Sequence, residues 1–288
     1  MSLSEFIYTT VLRPKPLKAV ANAIIRRCIP DRMEQDGAVI VLNPNDPVVS
    51  GALALGVYEK PETKFFCKVC RAGMTFLDVG ANIGYYSALA MVRIGAAGKV
   101  IALEPDPENF RYLQATVAAN GAASATCIQK AAAAQSGILK LYVSKNNRGD
   151  NRLYPNDLCD RSYDVQVSTV DALLGECGVQ CVDLVKIDVQ GFEGHVLHGM
   201  TETIRRSADL IILTEFWPFG LKSAGSTPES VLLEMEEAGL TLYELTKNGS
   251  LAPLADKQSL IKRYPGRNYT NIVAVSGNAL PPSVEVDA

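Results

Sequence analysis

The sequence predicts an α/β fold, in which helices cover both faces of a mostly parallel β-sheet. Short apolar runs alternate with helical segments from residue 75 onward, which is typical of strands joined by helical crossovers. The first of these runs, Phe76 to Val79, leads into a glycine-rich turn and then into good helix formers. A buried strand, a tight turn and a helix therefore open the alternating part of the chain.

Length and composition fit one large domain with extensions. The chain has 288 residues, of which 48% are hydrophobic, so a sizeable core is expected. We predict a cap of helices and strands over residues 1–74, the main domain over 75–276, and a flexible, proline-containing tail over 277–288.

Charge and hydropathy argue against nucleic-acid binding and against a membrane-spanning protein. The net charge of −3 disfavours nucleic-acid binding, and no apolar run is long enough to predict a transmembrane helix. No signal peptide is recognisable, so we expect a cytoplasmic protein with reduced thiols. A zinc site built from two pairs of the seven cysteines is the weaker alternative, and we expect no metal ligands. A homo-oligomer is compatible with the sequence.

The elements of the sheet can be placed one by one. The predicted strands are residues 75–79, 99–103, 125–129, 184–189, 210–214, 240–245 and 271–275. Asp106 and Pro107 are typical of a helix start, and further helices are expected over 192–199 and 228–237. Outside this alternation we predict a hairpin of strands 139–143 and 163–167, a strand over 38–42, and helices over 17–27, 48–55 and 64–70.

The glycine-rich turn is the first candidate binding site. It follows Asp78 and contains Gly80, Asn82 and Gly84, with Tyr85 opening the next helix. A dinucleotide-binding turn has the pattern G-x-G-x-x-G, and Asn82 replaces its second glycine, which makes room for the diphosphate. An acidic residue before the turn also suits a ligand that carries a cation. We therefore keep an NAD-dependent oxidoreductase only as an alternative.

Polar residues at the ends of later strands complete the candidate site. Glu104 follows the second strand, at a distance from the turn that suits an acceptor for ribose hydroxyls. Lys186 and Asp188 alternate with apolar residues at the end of a later strand, and Glu215 ends the next one. Because ligands of such sheets bind at the carboxyl ends of the strands, these groups should converge. An internal salt bridge of Lys186 with Asp188 or Glu215 is the alternative interpretation.

Several motifs together resemble one family. FLDVGANIGYYS, ALEPDPENF and LVKIDVQGFEGHVLHGM occur in one order, and with the strand that ends at Glu215 they resemble the FkbM family of S-adenosylmethionine-dependent methyltransferases. The resemblance covers about residues 38–275 and includes an acidic residue like Glu59. Gln190 departs from it, since the family usually has glutamate there.

The resemblance implies fold, cofactor and activity. It implies a Rossmann-like class I methyltransferase fold, with a seven-stranded, mostly parallel sheet and an antiparallel last strand. The cofactor would be S-adenosyl-L-methionine, and the acceptor a hydroxyl of a small molecule or glycan. The cofactor-binding residues would be Asp78, Gly80, Asn82, Gly84, Tyr85, Glu104, Lys130 and Ala131, the last two beside the adenine.

The catalytic residues would be Lys186, Asp188 and Glu215. Asp188 or Glu215 would serve as a base, and Lys186 would orient the acceptor. A cofactor-binding protein without catalysis is a further alternative.

Overall fold

The computed structural model describes residues 27–144, 147–156 and 159–287. Most of the helix predicted over 17–27 lies outside these ranges. The strands are β1 (Arg32–Gln35), β2 (Ala38–Val41), β3 (Thr75–Val79), β4 (Lys99–Leu103), β5 (Ala125–Ile128), β6 (Ala131–Ala132), β7 (Gly137–Ser144), β8 (Cys159–Ser168), β9 (Leu184–Ile187), β10 (Ile211–Phe216), β11 (Thr241–Leu245), β12 (Leu251–Pro253) and β13 (Thr270–Val275). The helices are α1 (Val49–Ala54), α2 (Lys60–Val69), α3 (Tyr85–Ile94), α4 (Pro107–Ala119), α5 (Val170–Glu176), α6 (Glu193–His198), α7 (Thr201–Arg206), α8 (Pro218–Ser223), α9 (Pro228–Glu237) and α10 (Lys257–Arg263).

The central sheet has eight strands in the order β12-β11-β13-β10-β9-β3-β4-β5. The strands from β10 to β5 are parallel, whereas β13 runs antiparallel to both of its neighbours. This confirms the predicted mostly parallel sheet with an antiparallel last strand. The eighth strand, β12, was not predicted, because three residues that end in proline give no strand signal.

Helices cover both faces of the sheet, as predicted. Phe76 packs into the core on one face, with the aromatic residues of α2 and α3, while its neighbour Leu77 packs into the core on the other. Leu184 and Val185 of β9 likewise pack into the cores on opposite faces of the sheet. Strands buried on both faces have continuous apolar sequences, which explains why β3 and β4 could be predicted to the residue.

The described part of the predicted cap, residues 27–74, packs directly on the main domain. Ile40 of β2 and Phe66 of α2 are fully buried in the same cluster as Phe76 of β3. The rings of Phe66 and Phe76 meet edge to face, with centroids 5.1 Å apart. This packing fixes α2, whose first turn borders the site described below.

The tail differs from its prediction as a flexible segment. Ala279 and Val284 are buried, and the backbone of Leu251 in β12 donates to Glu285 and accepts from Asp287, at 2.9 and 2.8 Å. Residues 277–287 therefore pack along the edge of the sheet. Backbone pairing at a strand edge needs little from the side chains, so the sequence pattern did not reveal it.

A smaller sheet with the order β6-β8-β7 stands beside the central one. Its strands β7 and β8 form the predicted hairpin, in antiparallel register from Gly137 to Ser144. The hairpin brings the loop that contains residues 147–156 over the carboxyl ends of β3 and β4. Within the described ranges, every helix is too short or too polar to cross a membrane.

Candidate functional site

A cavity opens at the carboxyl ends of β3, β4 and β9. It holds about 900 Å³ of empty space, including the part open to solvent. This central cavity brings together nine of the predicted site residues: Asp78, Gly80, Asn82, Tyr85, Glu104, Lys130, Ala131, Lys186 and Asp188. Gly84 and Glu215 lie outside its wall. Most of the predicted site residues therefore meet at this edge of the sheet.

The glycine-rich turn is locked against the neighbouring strands. Gly80 has φ +83°, and a Cβ on it would lie 2.1 Å from the carbonyl oxygen of Asp188. The N–H groups of Gly80 and Ala81 both donate to the carbonyl of Leu103, at 3.0 and 2.9 Å. Asn82 has φ +52°, and its side-chain oxygen accepts from the N–H of Ile83. Only a residue without a side chain fits at Gly80.

Gly84, which we predicted to bind the cofactor, lies outside the wall of the central cavity and has a packing role in the structure. It precedes α3 with φ +86°, and a Cβ there would lie 2.8 Å from Cδ1 of Leu113 on α4. The glycine thus lets α3 and α4 pack closely behind the turn.

Glu104 is held by two backbone donors. Its Oε2 accepts from the N–H of Asn82 at 2.9 Å, and its Oε1 accepts from the N–H of Asp106 at 2.8 Å. Burial, together with the nearby charge of Asp106, raises the pKa of the Glu104 carboxyl to about 8. The side chain is thereby fixed in the cavity wall with oxygen lone pairs to spare.

Asp78 lies at the base of the same cavity. Its Oδ2 accepts a hydrogen bond of 2.6 Å from the hydroxyl of Ser87. Burial raises the pKa of this carboxyl to about 6, although the hydrogen bond opposes that rise. A ligand with a positive charge would relieve the cost of ionising Asp78.

Lys130 and Ala131 line the side of the cavity near β5. The ammonium of Lys130 is directed at Glu176 on α5, with 3.4 Å between Nζ and Oε2. The charge of Lys130 is therefore turned toward α5. Lys130 and Ala131 contribute mainly backbone atoms and the small side chain of Ala131 to the cavity wall. Ala132, Leu103 and Leu141 make the surrounding wall apolar.

Tyr85 and Tyr86 form a buried aromatic floor. The Tyr85 hydroxyl shares a hydrogen bond of 3.0 Å with Thr63, and its ring meets that of Tyr58 edge to face. The Tyr86 hydroxyl donates to Glu59 at 2.7 Å. These contacts tie α3 to the beginning of α2.

Lys186 is a buried cation in the wall of the site. Its Nζ lies 3.4 Å from Oδ2 of Asp188 and 5.3 Å from the ring centroid of Tyr86. Burial lowers the pKa of the ammonium, but the carboxylates around it, led by Asp188 and Glu59, raise that pKa by more. The salt bridge considered from the sequence is present, and both of its members line the cavity.

Glu59 is an acidic group that the site prediction left out. It precedes α2 with φ +35°, a strained conformation for a side chain of this size. Burial raises its pKa to about 7, with Lys186 opposing the rise and Asp188 adding to it. The only sequence signal was its likeness to an acidic residue of the FkbM family.

Gln190 replaces the glutamate that the FkbM family usually has. Its side-chain amide donates to Oδ1 of Asp188 at 2.8 Å, which an ionised glutamate could not do. Asp188 is thus held by Lys186 on one oxygen and by Gln190 on the other.

Glu215 lies in a second recess next to the central cavity. Gln190 lines both spaces, and the other residues of the Glu215 recess include Asp150, Arg152, Trp217, Arg267 and Tyr269. Burial raises the pKa of the Glu215 carboxyl well above its ordinary value, and the charges of Asp188 and Glu193 add to this. Glu215 thus lies close enough to Asp188 and Lys186 for their charges to act on it, but outside the wall of the central cavity, and its catalytic role stays a prediction.

Comparison with known proteins gives the family of this chain. The profile of the methyltransferase FkbM domain matches residues 78–241, which is more than half of the chain. A curated relative, the methyltransferase sdnD of Sordaria araneosa, is 27% identical over 176 residues, which are 51% of this chain and 68% of the relative.

Similar solved structures include methyltransferase FkbM from Methylobacillus flagellatus KT, with a TM-score of 0.45, 14% identity, and coverage of 90% of this chain and 60% of that one. Another is Aeropyrum pernix fibrillarin with natively bound S-adenosyl-L-methionine, with a TM-score of 0.41, 13% identity, and coverage of 72% and 68%. The family match, which includes the glycine turn, Glu104 and Glu215, establishes that this chain belongs to the FkbM methyltransferase domain family.

Proposed function

We propose that this methyltransferase uses S-adenosyl-L-methionine as methyl donor and methylates a hydroxyl of a small molecule or glycan. The observation that carries the proposal is the central cavity, in which Glu104 is fixed by two backbone donors beside a locked glycine turn. The cavity combines an apolar wall with a few convergent polar groups, as small-molecule sites commonly do.

The residues of the cavity fit this cofactor. Glu104 offers carboxyl oxygens to ribose hydroxyls, and Asp78 offers a negative charge to the ammonium and sulfonium groups. The apolar wall of Leu103, Ala131 and Leu141 suits the adenine ring. When bound, the cofactor supplies a methyl group on a positively charged sulfur.

The same residues argue against a dinucleotide. A diphosphate would lie near Asp78 and Asp188, whose charges repel it. The nearby cations are already engaged: Lys186 contacts Asp188, and Arg148 contacts Asp106 and Glu108. The N–H groups of Gly80 and Ala81 are also taken by Leu103. We therefore favour a cationic cofactor over NAD.

Among the candidate bases, Asp188 suits the acceptor hydroxyl better than Glu215. Lys186 and Gln190 each contact one of its oxygens, so the side chain is held in one orientation. Glu215 lies outside the wall of the cavity that Asp188 lines, and burial makes its carboxyl harder to ionise by raising its pKa. Most of the rate advantage would come from aligning the hydroxyl with the methyl group.

An acceptor screen that measures release of S-adenosylhomocysteine tests this function. We expect release with a hydroxyl-bearing compound, and a loss of about 10²–10⁴-fold in turnover for Asp188→Asn with little change in cofactor affinity. If the protein binds the cofactor but releases no product with any acceptor, the alternative of a binding protein without catalysis is supported instead.

A further inference from the structure

The turn that follows Asp188 has an unusual backbone conformation. Gln190 has φ +55°, in the left-handed region that a glutamine rarely adopts, and Gly191 follows with φ +101°. From this position the side-chain amide of Gln190 reaches Oδ1 of Asp188 at 2.8 Å. A conformation of this kind persists only where the surrounding structure holds it. The contacts that hold the turn therefore decide whether Gln190 can reach Asp188.

Glu193, the first residue of α6, provides two of these contacts. Its side chain is buried, and its Oε1 accepts from the N–H groups of Val189 and Gly191, at 3.2 and 3.1 Å. These two N–H groups belong to the residues on either side of Gln190. The carboxyl group of Glu193 thus fixes the backbone of the turn before and after the residue that contacts Asp188.

Tyr154 holds the same turn from a distant part of the chain. Its side chain is buried, and its hydroxyl donates to the backbone carbonyl of Gln190 at 2.7 Å. A Cβ on Gly191 would lie 2.8 Å from this hydroxyl oxygen and 2.6 Å from the carbonyl carbon of Gly220 in α8. Tyr154 and α8 therefore close tightly on the turn, and the Gln190 carbonyl has a fixed partner.

The position of Tyr154 is fixed in turn by the small sheet. Arg152 exchanges two backbone hydrogen bonds with Tyr142 of β7, at 2.8 and 3.0 Å, and its guanidinium lies 5.7 Å from the ring centroid of Tyr154. Tyr154 also belongs to the same apolar cluster as Leu141 of β7. Its hydroxyl is thus presented to the Gln190 turn by a segment that is anchored at both its backbone and its ring.

We propose that Tyr154 is a positioning residue for methyl transfer. Its hydroxyl holds the carbonyl of Gln190, the amide of Gln190 holds Asp188, and Asp188 is thereby kept in the orientation needed to accept the proton of the acceptor hydroxyl. Tyr154 lies outside the wall of the central cavity, so it acts through the turn. This inference rests on the proposed function, in which Asp188 is the base.

The side-chain amide of Gln190 reports this role without any acceptor. In ¹H–¹⁵N NMR spectra of the full chain, its two N–H signals are identified by their absence in Gln190→Glu. In the wild type one N–H is bonded to Asp188, so we expect signals displaced from those of solvent-exposed glutamines. Tyr154→Phe removes only the hydroxyl and should move the Gln190 signals to the positions of solvent-exposed glutamines.

Two further variants separate this role from a general loss of structure. Tyr264→Phe removes another tyrosine hydroxyl, which donates to Glu244 at 2.6 Å, and it should leave the Gln190 signals unchanged. Glu193→Gln keeps an oxygen that can accept from Val189 and Gly191 and should retain the displaced signals, whereas Glu193→Ala should lose them.

Release of S-adenosylhomocysteine measures the consequence for the reaction. In the screen of hydroxyl-bearing compounds, Tyr154→Phe should lower turnover about 10- to 100-fold with each compound that the wild type methylates, because the base is no longer aligned. Its affinity for S-adenosyl-L-methionine, measured by calorimetry, should stay within about twofold of the wild type. Tyr264→Phe should leave both quantities within about twofold.

Two results would overturn the inference. One is a Tyr154→Phe spectrum in which the Gln190 signals keep their wild-type positions, and the other is equal turnover of Tyr154→Phe and Tyr264→Phe. Either result leaves the proposed function standing if the wild type binds the cofactor and releases S-adenosylhomocysteine. Failure of the wild type to do so would instead refute the proposed function and, with it, the role of Tyr154 in methyl transfer.

Discussion

At the scale of single residues, three carboxyl groups at the site are difficult to ionise. Burial raises the pKa of Asp78 to about 6, of Glu59 to about 7 and of Glu104 to about 8. Lys186 lies close to Glu59 and Asp78, and its own pKa is raised in return. Such clusters are typical of functional sites, because a ligand can then change the charge state of the groups around it.

Glu104→Ala should weaken binding of S-adenosyl-L-methionine. Two hydrogen bonds to the ribose would be lost, at a cost on the order of 1–3 kcal/mol, or about 5- to 150-fold in affinity. Equilibrium dialysis with labelled cofactor measures the change.

The control for Glu104 is Glu176→Ala, since Glu176 on α5 is an exposed carboxylate whose Oε2 lies 3.4 Å from the ammonium of Lys130. The substitution should leave the cofactor affinity within about twofold of the wild type. Equal effects of the two substitutions would remove the assigned role of Glu104.

At the scale of elements, the strand, turn and helix around Gly80 determine where the site forms. The sequence predicted β3, β4 and α9 to the residue, because each has a continuous apolar run or a clear cap signal. It did not reveal β12 or the packing of the tail, which depend on backbone pairing at an edge.

Only part of the site could be predicted from the sequence. Residues next to glycine turns and strand ends were found, whereas Glu59 was left out, since a left-handed acidic residue has no sequence pattern. The Glu215 recess joins residues near 150, 190, 215 and 268, which are far apart in the chain. Its composition therefore becomes visible only in the folded structure.

Gly80→Ala should destabilise the protein by more than the positive φ of residue 80 alone would cause. A Cβ there meets the carbonyl oxygen of Asp188, so β3 and β9 must move apart. Gly73→Ala is the matched control, because Gly73 has φ +82° and a Cβ added to it would have no described atom within 4 Å. We expect about 1 kcal/mol of destabilisation for the control and several times that for Gly80→Ala in urea unfolding.

Loss of cofactor binding should accompany Gly80→Ala but not Gly73→Ala. Equal destabilisation of the two variants would show that the contact with Asp188 does not constrain the turn.

Removal of residues 277–288 should destabilise the edge of the sheet. Leu251 would lose two backbone hydrogen bonds, and the contacts of Ala279 and Val284 would be lost. We expect a decrease of about 1–4 kcal/mol in the free energy of unfolding, measured in urea. An unchanged value would support the flexible tail predicted from the sequence.

At the scale of the whole molecule, the raised carboxyl pKa values make folding stability depend on pH. The folded protein keeps protons on Asp78, Glu59 and Glu104 at pH values where the unfolded chain releases them. Their contribution is therefore complete below the unfolded pKa, which is 3.8 for Asp and 4.5 for Glu, and is lost as the pH rises through about 6 to 8.

The free energy of unfolding should accordingly be lower at about pH 8.5 than at about pH 5.5. Urea unfolding at the two pH values measures the difference, and Glu104→Gln, which has no proton to lose, should show a smaller one. A stability that rises over this range would mean that these groups are ionised in the folded protein.

The central claim is that the cavity around Gly80 and Glu104 binds a cationic methyl donor. Calorimetric titration at about pH 6, close to the pKa of Asp78, in two buffers with different ionisation enthalpies, tests it most directly. We predict that one S-adenosyl-L-methionine binds per chain with release of protons, because its positive charge lowers the raised pKa of Asp78. The absence of binding at millimolar S-adenosyl-L-methionine, or saturable binding of NAD in its place, would contradict the account.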